Sequence, residues 1–147
     1  MNKVKTARAI IETEYKSNKC IITIKRTKYK DGKIVNEYYT LPGGHVEENE
    51  TSEDAVIREV FEELNIKVSI KNKLLSSYNN DLDRYEDFYI CNIVSGIISK
   101  GSGPEWTNPD VEKYGSYEIV YIDIHDISNY NILPTNVKEE LIKRYNI

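Results

Sequence analysis

The sequence predicts a mixed α+β sandwich, and three observations carry that prediction. Runs rich in β-branched residues lie before residue 41 and again after residue 65. One short amphipathic helix separates them, and a second helix closes the chain. No repeat, linker or low-complexity segment interrupts this order, so residues 1–147 are expected to form a single domain.

Taken in order, residues 6–14 and 20–27 read as strands. Asp31-Gly32 follows, a strong hairpin signal because a two-residue turn needs the positive φ that Asp and Gly tolerate. It would pair the second strand with residues 33–40, after which Leu41-Pro42-Gly43-Gly44 is expected to stop regular structure. Residues 51–64 read as a helix with Thr51 as N-cap and Asp54 placed for a capping box. Asn65 can end it in the left-handed conformation. Residues 66–78 read as a strand or strand pair, and Asn79-Asn80-Asp81 as a turn. In residues 84–98, Phe88, Ile90 and Val94 fall on one face and Tyr89, Cys91 and Ile93 on the other, the pattern of a strand covered on both sides. Residues 101–114 form a loop, and residues 117–124 a further strand. Residues 135–145 form the last helix, with Val137, Leu141 and Ile142 as its apolar stripe.

Composition narrows the function. Hydrophobic residues are 39% and charged residues 30% of the chain, a balance for globular folding. No apolar run is long enough to cross a membrane, and residues 1–5 lead into no signal-peptide core. Cys20 and Cys91 are the only cysteines, which fits a reduced, cytoplasmic protein with both thiols as apolar filler. A net charge of −4 argues against capture of long nucleic acid but not against a small phosphorylated ligand, because clustered carboxylates can hold cations that face phosphates.

The chemistry concentrates in residues 44–66. Glu59, Glu62 and Glu63 stand at i, i+3 and i+4, so their carboxylates share one helix face. Crowding three like charges is unfavourable unless a hard divalent cation joins them. The opposite face, Ala55, Val56, Val60 and Leu64, would pin the helix to the sheet. Glu50 lies eight residues before Arg58, where a folded-back loop lets the two pair and orients loop against helix.

This string of Gly44, five residues, Glu50, seven residues, then Arg58-Glu59-Val60-Phe61-Glu62-Glu63-Leu64-Asn65-Ile66 resembles the Nudix box of the Nudix hydrolases. It departs at one position, Asn65, where the family has Gly; Asn is the next most tolerant residue at a left-handed helix end. The resemblance implies a Nudix-type α/β/α sandwich with a mixed central β-sheet. It also implies metal binding by Glu59, Glu62 and Glu63 with the Gly44 carbonyl, and ordering of the loop by Arg58 and Glu50. The implied activity is hydrolysis of a nucleoside diphosphate linked to another group, with Mg²⁺ or Mn²⁺ as cofactor and a water as nucleophile. Glu59 is the first choice as general base, with Glu105, Glu112 and Glu118 as candidates outside the box. The alternative is a non-catalytic Nudix domain that senses a nucleotide. Expected partners are a small nucleotide-like substrate, no long nucleic acid and no membrane, with a homodimer left open.

Weaker signals lie elsewhere. Trp106, beside Glu105 in the long loop, would either stack on a base or plug the edge of the sandwich. His45, just after Gly44, would touch a phosphate or be a solvated loop residue, and His125 belongs to the turn before the last helix. Lys25, Arg26, Lys28 and Lys30 form a basic cluster, read either as a solvated strand edge or as an approach path for an anionic substrate.

Overall fold

The computed structural model describes residues 4–101, 106 and 110–147. Its strands are β1 (Val4–Tyr15), β2 (Asn18–Lys30), β3 (Lys33–Thr40), β4 (Gly43–His45), β5 (Ile66–Asn79), β6 (Arg84–Gly96) and β7 (Ser116–Asp123). Helix α1 (Ser52–Leu64) follows β4, α2 (Val111–Tyr114) precedes β7, and a 3₁₀ segment, Ile124–Asn129, leads to α3 (Thr135–Tyr145). The sheet runs β3-β2-β1-β6-β5, with β4 added to β1 and β7 to β2. Only the β1–β6 pairing is parallel among the described strand pairs, so the sheet is mixed as expected.

The predicted hairpin is present: Asp31 and Gly32 have φ of 53° and 75°, the paired left-handed geometry of a two-residue type I′ turn. β1 and β2 pair only between residues 12–15 and 18–21, then diverge. Past that point β2 continues with β3, while β1 takes β4. The connection between β3 and β4 fills the fork, where the Ala9 N–H donates to the Pro42 carbonyl at 2.8 Å. Residues 41–44 therefore do not all leave regular structure, as the sequence suggested. Gly43 (φ 149°) lies so close to the backbone of Ala7 and Arg8 that a Cβ would collide, and the missing side chain is what lets this segment join β1.

Alternation along β1 separates two cores. Ala7, Ala9 and Ile11 pack with Ala55, Val56, Val60 and Leu64 of α1. On the other face Ile10 packs with Phe88, Ile90, and Val137 and Leu141 of α3. The result is helix, sheet, helix in three layers. β6 follows its predicted two-sided pattern at Phe88 to Cys91, but Val94 is 58% exposed. The parallel pairing with β1 stops at Asn92, so the tip of β6 runs on with β5 alone.

The basic cluster corrects another expectation. Lys25 and Arg26 are not on an edge, because β2 pairs there with both β3 and β7, whereas Lys28 and Lys30 lie past the last β7 pair and keep β3 alone. The long free edge is β5, which carries Lys67, Lys71 and Lys73 and three register shifts, both of which discourage edge-to-edge pairing. Among the described residues no helix is long and apolar enough to cross a membrane.

Candidate active site

α1 is fixed at both ends and along one side. Thr51 Oγ1 accepts from the Asp54 N–H at 3.1 Å, the forward bond of the capping box. Asn65 takes φ 60°, ψ 30° and its N–H returns to the Phe61 carbonyl. Ala55, Val56, Val60 and Leu64 are wholly buried, so the 3.6-residue period leaves Arg58, Glu59, Glu62 and Glu63 turned away from that core.

Arg58 organises this face. Its Nε donates to Glu50 Oε2 at 2.8 Å and its Nη2 to Glu50 Oε1 at 3.0 Å, the bidentate pair that the spacing predicted. Nη2 also donates to the His45 carbonyl at 3.1 Å. Nη1 donates to Glu59 at 3.1 Å and to both Glu62 oxygens at 3.3 Å. The bonds to Glu50 come first among the causes that hold the Arg58 guanidinium above its ordinary pKa, and Arg58 in turn holds the Glu50 carboxyl below its own.

The strand beside the helix completes the surround. A Cβ on Gly44 would lie 2.5–2.7 Å from the carboxyl atoms of Glu59, so the bare glycine makes room for that carboxylate. The Gly43 N–H donates to Glu63 Oε1 at 3.3 Å. Among the described residues no three Asp, Glu, His or Cys side chains are gathered as a ready metal cluster. The positive charge among Glu59 and Glu62 is instead Arg58 Nη1.

The outlying candidates lie apart from this face or serve the fold. His45 contributes its carbonyl to Arg58 while its ring is exposed. Trp106 donates its indole N–H to the Glu63 carbonyl and sets its ring edge-on to Tyr117. Glu112 Oε1 accepts from the Gly32 N–H at 2.8 Å and so braces the first hairpin. Glu118 stands opposite Lys25 in the β2–β7 ladder, and Glu105 lies outside the described residues. His125 sits in the 3₁₀ segment, bonded through Nδ1 to Asp123 at 2.9 Å.

Sequence reasoning missed a cleft of about 660 Å³ whose walls include Arg8, Arg26, Tyr38, Tyr78, Arg84 and Glu86. Arg8 Nη1 donates to the Leu41 carbonyl at 2.9 Å. Burial pushes this guanidinium down and Glu63 opposes the push; Gly43, whose N–H donates to Glu63, lies against the Arg8 side chain, so the cleft adjoins the acidic face. Arg84 Nε donates to Glu86 Oε2 at 3.0 Å with Nη2 as close, and Asn79 donates to Oε1 of the same carboxylate at 3.1 Å. A signal for Arg8 existed: it is the one arginine inside an apolar strand run, and a charge there needs a reason.

A three-layer sandwich with an Arg-clamped acidic helix beside a cation-lined cleft is the framework of a phosphate-handling hydrolase. The NUDIX domain family model matches residues 3–135, and the chain belongs to the Nudix hydrolase family. Similar solved structures include a MutT Nudix hydrolase of Burkholderia pseudomallei, 22% identical over 97% of this chain and 99% of that one, TM-score 0.66. A MutT protein of Methanosarcina mazei Go1 is 17% identical over 99% and 98%, TM-score 0.63. An Ap4A hydrolase of C. elegans is 14% identical over 96% of each chain, TM-score 0.65. At these identities the likeness shows a shared fold.

Proposed function

We propose that this protein is a divalent-metal-dependent hydrolase of the diphosphate linkage in a nucleoside diphosphate bonded to a further group. Nucleoside triphosphates, nucleotide sugars such as ADP-ribose and dinucleoside polyphosphates are the candidate substrates. The observation that carries the reading is the face formed by Glu59, Glu62 and Glu63, backed by Arg58 and Gly44 and opening toward the Arg8 cleft. Its donor set is hard carboxylate oxygen, which suits Mg²⁺ or Mn²⁺, and the bare Gly44 leaves room around Glu59. Glu59, Glu62 and Glu63, with the Gly44 carbonyl, would hold the ion. When bound, such an ion polarises the diphosphate and makes a nearby water more acidic.

The protein's own groups supply the rest. The Glu50–Arg58 fork holds the loop against α1, so the carboxylates are positioned before substrate arrives. Glu59, whose carboxylate fills the space left by the bare Gly44, takes the proton of the attacking water. Arg8 faces the same carboxylates from the cleft and meets the charge that develops on the phosphates. The part of the cleft lined by Tyr78 and Leu82 receives the nucleoside. Two buried free cysteines fit work in a reducing cytoplasm.

The test is Glu62→Gln, which keeps size and helix propensity and removes one charge. Turnover on whichever nucleotide the parent cleaves should fall roughly 10²–10⁴-fold. The variant should melt at or above the metal-free parent and gain less from added Mg²⁺. Parent-like turnover in the variant would end this role for Glu62. A parent that binds nucleotides but hydrolyses none across a broad panel would be a sensor instead.

A further inference from the structure

Two members of the basic cluster turn to the same side of the first hairpin. Arg26 and Lys28, at i and i+2 of β2, face one way, and Arg26 lines the cleft. Both converge on a single acceptor: Arg26 Nη2 and Lys28 Nζ donate to the Tyr114 carbonyl at 2.9 Å and 3.2 Å. Their companion Lys25 has Glu37 at 3.8 Å, but among the described residues neither Arg26 nor Lys28 has a carboxylate partner. The Arg26 guanidinium lies 3.9 Å from the ring centre of Tyr117, which fixes its plane. Its Nε is buried without a hydrogen-bond partner, a cost that an apolar side chain on Tyr117 would not carry. Burial first, and the Arg26 charge second, hold the Lys28 ammonium below its ordinary range. Among the described residues, two like charges are thus held together by the fold with one shared carbonyl and no carboxylate.

We propose that Arg26 and Lys28 form an anion subsite at the hairpin end of the cleft, which takes a phosphate of the substrate beyond the diphosphate held at the acidic face. The proposal rests on the hydrolase reading for its substrate, but not for the binding it predicts. The guanidinium offers a flat pair of N–H donors suited to two phosphate oxygens, while the ammonium adds a point charge. Asn36, which pairs with Lys28 in the ladder and also lines the cleft, supplies an uncharged donor next to them. A substrate with a longer phosphate chain is therefore preferred over one with the diphosphate alone.

Two measurements on the full chain test this. In EDTA, inorganic tripolyphosphate is titrated against the parent and against Arg26→Gln and Lys28→Gln. The expected result is saturable binding by the parent that weakens about tenfold or more in each variant, with Arg26→Lys intermediate. Equal affinity in parent and variants would overturn the subsite. With Mg²⁺, kcat/KM is compared on nucleoside di-, tri- and tetraphosphates. The parent should favour the longer chains through KM, and Arg26→Gln should erase that preference. A uniform loss on all three would instead show a structural role and also overturn the subsite. Loss of tripolyphosphate binding in the variants, alongside a parent that hydrolyses nothing, would uphold the subsite while removing the hydrolase reading.

Discussion

Asn65 stands where the helix must turn out of its path into β5, and its φ of 60° is one that Gly or Asn accepts at low cost. Asn65→Gly should therefore be neutral or slightly stabilising, whereas Asn65→Val should lose about 1–2 kcal/mol in denaturant unfolding. A Val variant as stable as the parent would contradict the observed conformation. Asp87 gives a second test at this scale. Burial pushes its carboxyl up, but hydrogen bonds from Ser52 and Ser76, each 2.6 Å, and Lys5 at 3.0 Å outweigh that and hold it below the ordinary 3.8. A carboxyl lowered in the folded state adds stability above its unfolded pKa, and that stability disappears as pH falls through the folded value. Melting temperature should drop as pH is taken from about 5 toward 2. Asp87→Asn should start lower and show a shallower drop, and parallel curves would refute the assignment.

At the scale of elements, the far end of α1 is held by a segment distant in sequence. The Ser99 N–H donates to the Leu64 carbonyl at 3.0 Å, and the Gly101 N–H to the Glu63 carbonyl at 2.9 Å. Trp106 adds its indole N–H to that same Glu63 carbonyl. Carbonyls left open by the last turn are thus satisfied, and the turn bearing Glu62 and Glu63 is anchored from outside. Trp106→Ala should cost about 3 kcal/mol, the low end for removing a packed indole, and should lower the melting temperature. KM should change little, since the ring faces Tyr117 rather than the cleft. A tenfold rise in KM with unchanged melting would restore the base-stacking reading.

Across the whole molecule, Glu12 ties three strands of the sheet to the last helix. Its carboxylate is nearly buried on β1 and accepts from the Tyr145 hydroxyl of α3, with Lys19 at 3.4 Å, Lys71 at 3.8 Å and Arg144 at 3.9 Å. Glu12→Gln should lower global stability by about 1–3 kcal/mol, because the hydroxyl and the ammonium groups lose a charged acceptor. A double-mutant cycle with Tyr145→Phe should show coupling of about 0.5 kcal/mol or more. Additive losses would mean that the last helix docks through its apolar contacts, Val137, Leu141 and Ile142 among them, without help from this pair.

Local chemistry was legible in the order of residues. The Asp31-Gly32 turn, the Thr51 cap, the left-handed Asn65 and the Glu50–Arg58 fork all depend on neighbours within about two helical turns, and the structure has each of them. The mixed sandwich was also readable, because the two-faced pattern of β6 and the stripes on both helices demand cover on two faces. Contacts across the fork between β1 and β2 were not readable. Gly43 and Gly44 look like a chain break in sequence, yet they form a strand because β1 offers a bare backbone edge there. Arg8, Arg84 and Arg26 are scattered along the chain, and only the divergence of the strands brings them onto one cleft. The same holds for Arg58 Nη1: its reach to Glu62 follows helix spacing, but its place among Glu59, Glu62 and the His45 carbonyl is set by how β4 packs on α1. Sequence specifies short-range geometry because few bonds separate the partners, while the cleft depends on which strand edges meet, and that is decided only when the two cores close.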